Sequence, residues 1–108
     1  MFLNVLERVV LRGIIPQIQG WNFANMKEAR ELTEGLFTEQ EESELSITQD
    51  NERLHWNLVR EDGSAIPQER EFEVSEGLKA KVKIFLAKLD REEKLGLEHF
   101  TLCGKFGM

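Results

Sequence analysis

Two histidines and a single cysteine are the residues here best suited to nucleophilic or metal chemistry. His99 and Cys103 stand four apart, so a helix places them on one face, as a metal-ligand pair or a base beside a thiol requires. A zinc site needs three or four protein ligands, and only His55 or carboxylates are left to complete it. A packed cysteine beside an exposed histidine accounts for the same two residues with no chemistry. Gly104-Lys105 looks like the tail of a phosphate loop, but the glycine required five residues earlier is His99, and no strand precedes it. No Ser-His-Asp elbow, HExxH or GxGxxG occurs. The residues therefore point to no catalytic, cofactor-binding or metal-binding position, and the expectation is a protein that is not an enzyme.

Charged and aromatic residues offer more. Glu39, Glu41, Glu42 and Glu44 form an acidic run. Catalytic carboxylates need a cleft that alters their pKa, and a solvated helix start supplies none. A solubilising role is the plain reading, and imitation of a nucleic acid's phosphate charge is the functional one. The net charge of −6 is unevenly spread. Residues 38–77 hold twelve acids against three arginines, whereas residues 78–108 hold seven bases against four acids. Lys79, Lys81, Lys83 and Lys88 lie on the polar side of one long helix, where they could contact phosphates; the plain reading is a solvated face balancing Asp90, Glu92 and Glu93. An acidic chain without aromatic residues among its bases argues against direct nucleic-acid binding. Trp56 is assigned to the core, and Trp21, in a loop between Gly20 and Asn22, to a contact surface. The candidate partner-contact residues are thus Trp21, Glu39, Glu41, Glu42, Lys79 and Lys83.

Periodicity supplies the elements that position these groups. A first helix is expected over Phe2–Leu11, with Asn4, Glu7, Arg8 and Arg12 as a narrow polar stripe and the rest of its circumference apolar. Gly13 and Ile15-Pro16 stop it. So broad an apolar surface needs cover, either from a central place in the fold or from a twofold homodimer through residues 2–11. A second helix begins near Asn22 or Asn25, with Met26, Ala29, Leu32 and Leu36 on one side. Thr38 through Glu41 reads as a capping box opening a short helical turn to about Glu44.

The period then changes to two. With Asp50-Asn51 as a turn, Ile47 faces Leu54 and Leu45 faces Trp56, all on one side of a hairpin. Phe72 and Val74 alternate with Glu71 and Glu73, giving a third strand beside it. Ser75 caps a long helix over 76–93 with Leu78, Val82, Phe85, Leu86 and Leu89 as its buried stripe. Gly96 separates this from a terminal helix bearing Leu97, Phe100, Cys103 and Phe106. The expected architecture is a single α+β domain over 1–108 in the order ααα(short)-βββ-αα, its helices packed on a three-stranded antiparallel meander.

The segments LNVLERVVLRGIIPQIQG (3–20), NFANMKEARELTEGLFTEQEE (22–42), EREFEVSEGLKAKVKIFLAKLDREEKL (69–95) and LEHF (97–100) resemble small uncharacterised proteins of bacteriophage and prophage genomes. That resemblance carries no activity to any residue; it implies a small accessory protein working in bacterial cytoplasm. A lone cysteine excludes an internal disulfide framework and suits the same reducing compartment. No uncharged apolar run reaches the roughly 18 residues of a membrane span, and no basic leader precedes the first apolar stretch. The expected function is non-catalytic: a protein-interaction or accessory protein of phage or mobile-element origin with an unidentified protein partner. The alternative is a nucleic-acid-linked regulator using the basic face of the 76–93 helix.

Overall fold

Asn4 decides where the first helix begins. In the computed structural model, which describes residues 1–51 and 53–108, the Asn4 side chain accepts from the Glu7 N–H, and the Glu7 carboxylate accepts from the Asn4 N–H. This reciprocal cap starts helix α1 at Val5 and leaves Phe2–Asn4 free to be strand β1. The expected helix over Phe2–Leu11 is corrected at both ends. It runs Val5–Ile14 straight through Gly13, and Pro16 diverts the chain into one 3-10 turn at Ile15–Gln17.

The other helices follow their caps. Asn22, not Asn25, caps α2 at Phe23–Gly35. Thr38 and Glu41 form the expected capping box of α3, Glu39–Leu45, which ends at Ser46 in the left-handed region. Ser75 caps α4, Glu76–Arg91, whose end falls two residues short of the expected 93. A second 3-10 turn, Leu97–His99, leads into α5, Phe100–Lys105.

The three-stranded meander does not form; the strands make two separate two-stranded sheets. The hairpin exists as β2, Thr48–Asp50, and β3, Arg53–His55, but its turn lies one residue later than expected. Gln49 therefore faces Leu54, and Asp50 faces Arg53. Asn51 takes φ 45°, a left-handed conformation that asparagine tolerates, and Glu52 lies outside the described residues. Leu45 is not a strand residue at all: it is the fully buried last residue of α3. Trp56 is only half buried, packed against the core with its indole N–H donating to Gln68 Oε1 at 2.7 Å.

The third strand, β4, is Glu69–Glu71, and it pairs antiparallel with β1, placing Leu3 opposite Arg70. Both strands of the hairpin are largely exposed, so a neighbouring strand would gain little apolar contact there. Beside β1, the chain instead buries Leu3 and Phe72 on one face.

Leu78, Val82 and Leu86 of α4 meet Val5, Leu11 and Ile14 of α1, Ala29 and Leu32 of α2, and Leu102 and Phe106 of the C-terminal segment in one core. Val9 and Val10 are half buried against that core, so α1 is central and most of its apolar surface is covered from within the chain. The α2–α4 contact is drawn tight at Gly77, where an added Cβ would lie 2.8 Å from the Asn25 side chain. The Glu28 carboxylate also accepts from the Ser75 N–H at 2.9 Å, tying α2 to the start of α4. The result is one α+β domain of about 45 × 30 × 21 Å. Among the described residues, no helix is long and apolar enough to cross a membrane.

Leu86 and Leu97 carry the same side chain at 0% and 94% exposure. Leu86→Ala should cost about 2–5 kcal/mol and Leu97→Ala less than about 0.5 kcal/mol, read from urea unfolding midpoints. Equal losses would place Leu97 in the core and displace the C-terminal turn.

Candidate functional site

The charged residues of α1 do not form a solvated stripe. Glu7 and Arg8 are both fully buried, which corrects the sequence expectation. Arg8 Nη1 donates to Glu41 Oε2 at 2.6 Å and to the Leu36 carbonyl at 3.1 Å; Nη2 donates to the Gln68 carbonyl at 3.1 Å. Its guanidinium also lies 4.7 Å from the centre of the Phe37 ring. Arg70, from β4, reaches the same carboxylate through Nη2 at 2.9 Å and the Gly35 carbonyl at 2.6 Å, and stacks over Phe72. One carboxylate is thus clamped by two guanidinium groups, and carbonyls at the end of α2 accept from both arginines. Burial raises the Glu41 pKa, but the Thr38 N–H, Arg8 and Arg70 outweigh it and hold the group at about 2. Glu41 is therefore an internal tie and not a free contact residue.

A second buried pair closes the far side of α1. Lys105 Nζ donates to Glu7 Oε1 at 2.7 Å and to the Phe2 carbonyl at 2.6 Å. Burial works to raise the Glu7 pKa, yet the Asn4 N–H, Lys105 and Thr101 together hold it below the ordinary carboxylate value. These ion pairs join elements that are distant in sequence. The cleft beside the Arg70–Glu41 pair, between α3 and residues 60–70, holds about 260 Å³, at or below the usual range for a small-molecule site.

The remaining candidates are scattered. Glu39 and Glu42 stay exposed at the start of α3, with Arg12 3.9 Å from Glu42. Trp21 is half buried and packs against the core, so only part of it faces outward. Lys79 and Lys83 sit beside Glu76 at a hollow closed by Phe106 and Gly107. Lys81, Lys88 and Arg91 occupy a different edge of α4, next to Ile84, Phe85 and the 17–19 loop.

His99 and Cys103 do line one groove. His99 Nδ1 accepts from the Gly96 N–H at 2.9 Å, so that ring nitrogen is engaged in capping the 3-10 turn, and Glu98 at 3.7 Å is too distant for a hydrogen bond. Burial, and then the charge of Asp90, push the Cys103 thiol pKa up, away from the thiolate. Among the described residues, no group of three or more His, Cys, Asp or Glu side chains could hold a metal ion.

The same groove reveals what sequence reasoning missed. Leu97 is 94% exposed and Phe100 78%, although helical spacing groups them with the buried Phe106. The 3-10 turn at Leu97–His99 changes the rotation per residue and turns both outward. With Leu95, Gly96 and Cys103 they form an apolar shelf around a hollow of about 390 Å³. The doublet Gly96-Leu97 three and two residues before His99, whose ring accepts from the Gly96 N–H, was the available signal. No protein-family model, curated protein or solved structure matches this chain.

The depressed Glu41 pKa makes the clamp a source of acid sensitivity. A carboxylate that binds its proton less readily folded than unfolded contributes its stability in full above its ordinary value of 4.5, and loses it as the pH falls toward about 2. Glu41→Gln should cost about 3 kcal/mol at pH 7. The gap to the parent should close between these pH values, followed by denaturant unfolding. A gap independent of pH would mean that the charge of Glu41 does not couple these elements.

Proposed function

We propose that this chain is a non-catalytic interaction protein, an accessory protein of phage or mobile-element origin that acts by binding another protein. The observation that carries this reading is the apolar shelf at the C-terminal segment. Leu97 and Phe100 are large, adjacent in the fold and almost wholly in water, while Leu102 and Phe106 of the same segment are buried. Exposed aromatic and leucine side chains around a hollow are the usual centre of a protein–protein contact. The chain's buried ion pairs supply a rigid mount for such a surface and no reactive group. Cover for α1 comes from within, so a twofold dimer through residues 2–11 is not required to bury it.

A photo-crosslinking residue at Phe100 tests this directly, because the side chain is exposed and its replacement leaves the core intact. In bacterial lysate it should give one discrete protein adduct, absent when the crosslinker sits at the exposed Glu61 and abolished by Leu97→Glu. Adducts equal at both positions would refute the shelf as a binding surface.

A second reading is favoured by one feature. Lys79, Lys81, Lys83, Lys88 and Arg91 all lie on α4, and none has a carboxylate within 4.0 Å among the described residues. A nucleic-acid-linked regulator would use that face. Affinity for duplex DNA should then fall steeply with salt, in proportion to the phosphates neutralised. Absence of binding at low salt removes this reading.

A further inference from the structure

The unpaired cations of α4 are not one patch. Lys79 and Lys83 share their margin of the helix with Glu76. The other margin carries Lys81, Lys88 and Arg91, and no acid lines the groove that they border. That groove, about 310 Å³, runs between α4 and the loop after α1, with Ile18, Ile84 and Phe85 along its floor. Ile84 is 65% exposed and lies in one row along α4 with Lys81, Lys88 and Arg91, which are three, four and seven residues from it. Lys81 Nζ donates to the Gly20 carbonyl at 2.7 Å and so pins the loop wall to the helix wall.

We propose that this groove docks an acidic amphipathic helix of a partner protein, whose carboxylates meet Lys81, Lys88 and Arg91 while an apolar side chain covers Ile84 and Phe85. The proposal rests on the interaction reading above and names a second contact surface with its chemistry. Charge complementarity selects the occupant. Three cations with no carboxylate within 4.0 Å among the described residues attract carboxylates and set the register of a bound segment, while the apolar floor supplies affinity. A nucleic acid fits the same place poorly. Only three phosphates would be neutralised, the floor would meet sugar and phosphate, and the polyanion would continue past the groove onto a molecule of net charge −6. A short acidic segment ends where the positive charge ends.

The test is an amide-shift titration of the intact, isotope-labelled protein. The probe is a synthetic helical peptide of about 15 residues carrying Glu and Leu at i, i+4 spacing. Shifts should concentrate at Ile18, Lys81, Ile84, Phe85, Lys88 and Arg91. Lys88→Glu with Arg91→Glu, both exposed, should weaken binding at least about tenfold, a loss on the scale of one exchanged charge pair or more. Peptides with Lys in place of Glu, or Ser in place of Leu, should bind at least about tenfold more weakly as well. Equal binding by either control peptide overturns the proposal. So does a duplex oligonucleotide that displaces the peptide from the same amides, or self-association of the parent that the double charge reversal abolishes. A Phe100 adduct in lysate, together with unshifted α4 amides, would leave the interaction reading standing and remove only this groove. Shifted groove amides without a Phe100 adduct would support this groove and remove only the C-terminal shelf as a contact surface.

Discussion

A guanidinium with no exposed surface must find within the protein the hydrogen bonds it would have made to water, and Arg8 meets that demand by drawing four parts of the chain together. Its bonds run to α1's own first turn, to the carbonyl that ends α2, to the carboxylate in the first turn of α3, and to the residue preceding β4. Removing either partner of a buried pair typically costs about 3–5 kcal/mol, since the survivor is left charged in a poor solvent. The position of each of these elements is therefore conditional on the others. Apolar packing around Leu36 and Leu45 supplies driving force, but the arginine fixes which carbonyl and which carboxylate must be adjacent.

The same arrangement redistributes charge. Acids of the middle of the chain pair with arginines, Glu41 with Arg8 and Arg70, Glu42 with Arg12 and Glu44 with Arg60, and two of these, Arg8 and Arg12, come from α1. The lysines of α4 receive no such compensation among the described residues. The folded surface is consequently more polarised toward the basic edge of α4 than the linear count suggests, and an apolar floor lies within that edge. Polarity of this kind sets orientation and encounter rate more than it sets affinity.

Local signals in the sequence translated well. The Thr38 capping box and the Ser75 cap each depend on residues three apart, and both are present. The buried stripe of Leu78, Val82 and Leu86 also follows from spacing alone. Long-range choices were not legible. β1 and β4 are three residues each, too short to show a period of two, and their partners lie far apart in the chain. Phe2 and Leu3 merge with the apolar run of α1 unless Asn4 is recognised as a cap. Glu7 and Arg8 have the spacing of an exposed stripe, and periodicity cannot distinguish a charge facing water from one facing another charge. The exposed Leu97 and Phe100 were hidden by the assumption of one continuous α-helical phase across a 3-10 turn.

The bond between Lys105 and Glu7 joins residues 98 positions apart. During synthesis from the N-terminal side, α1 exists long before the groups that satisfy its two buried charges. Glu41 and Gln68 follow Arg8 after 33 and 60 residues, and Lys105 follows Glu7 after 98. Until then α1 exposes an apolar helix with an unneutralised acid and base, a state exposed to mispairing and to chaperone capture. The pairing of β1 with β4 imposes the same delay through loop closure. The partners that α1 buries are therefore complete only once Lys105 has been made, 98 residues after Glu7.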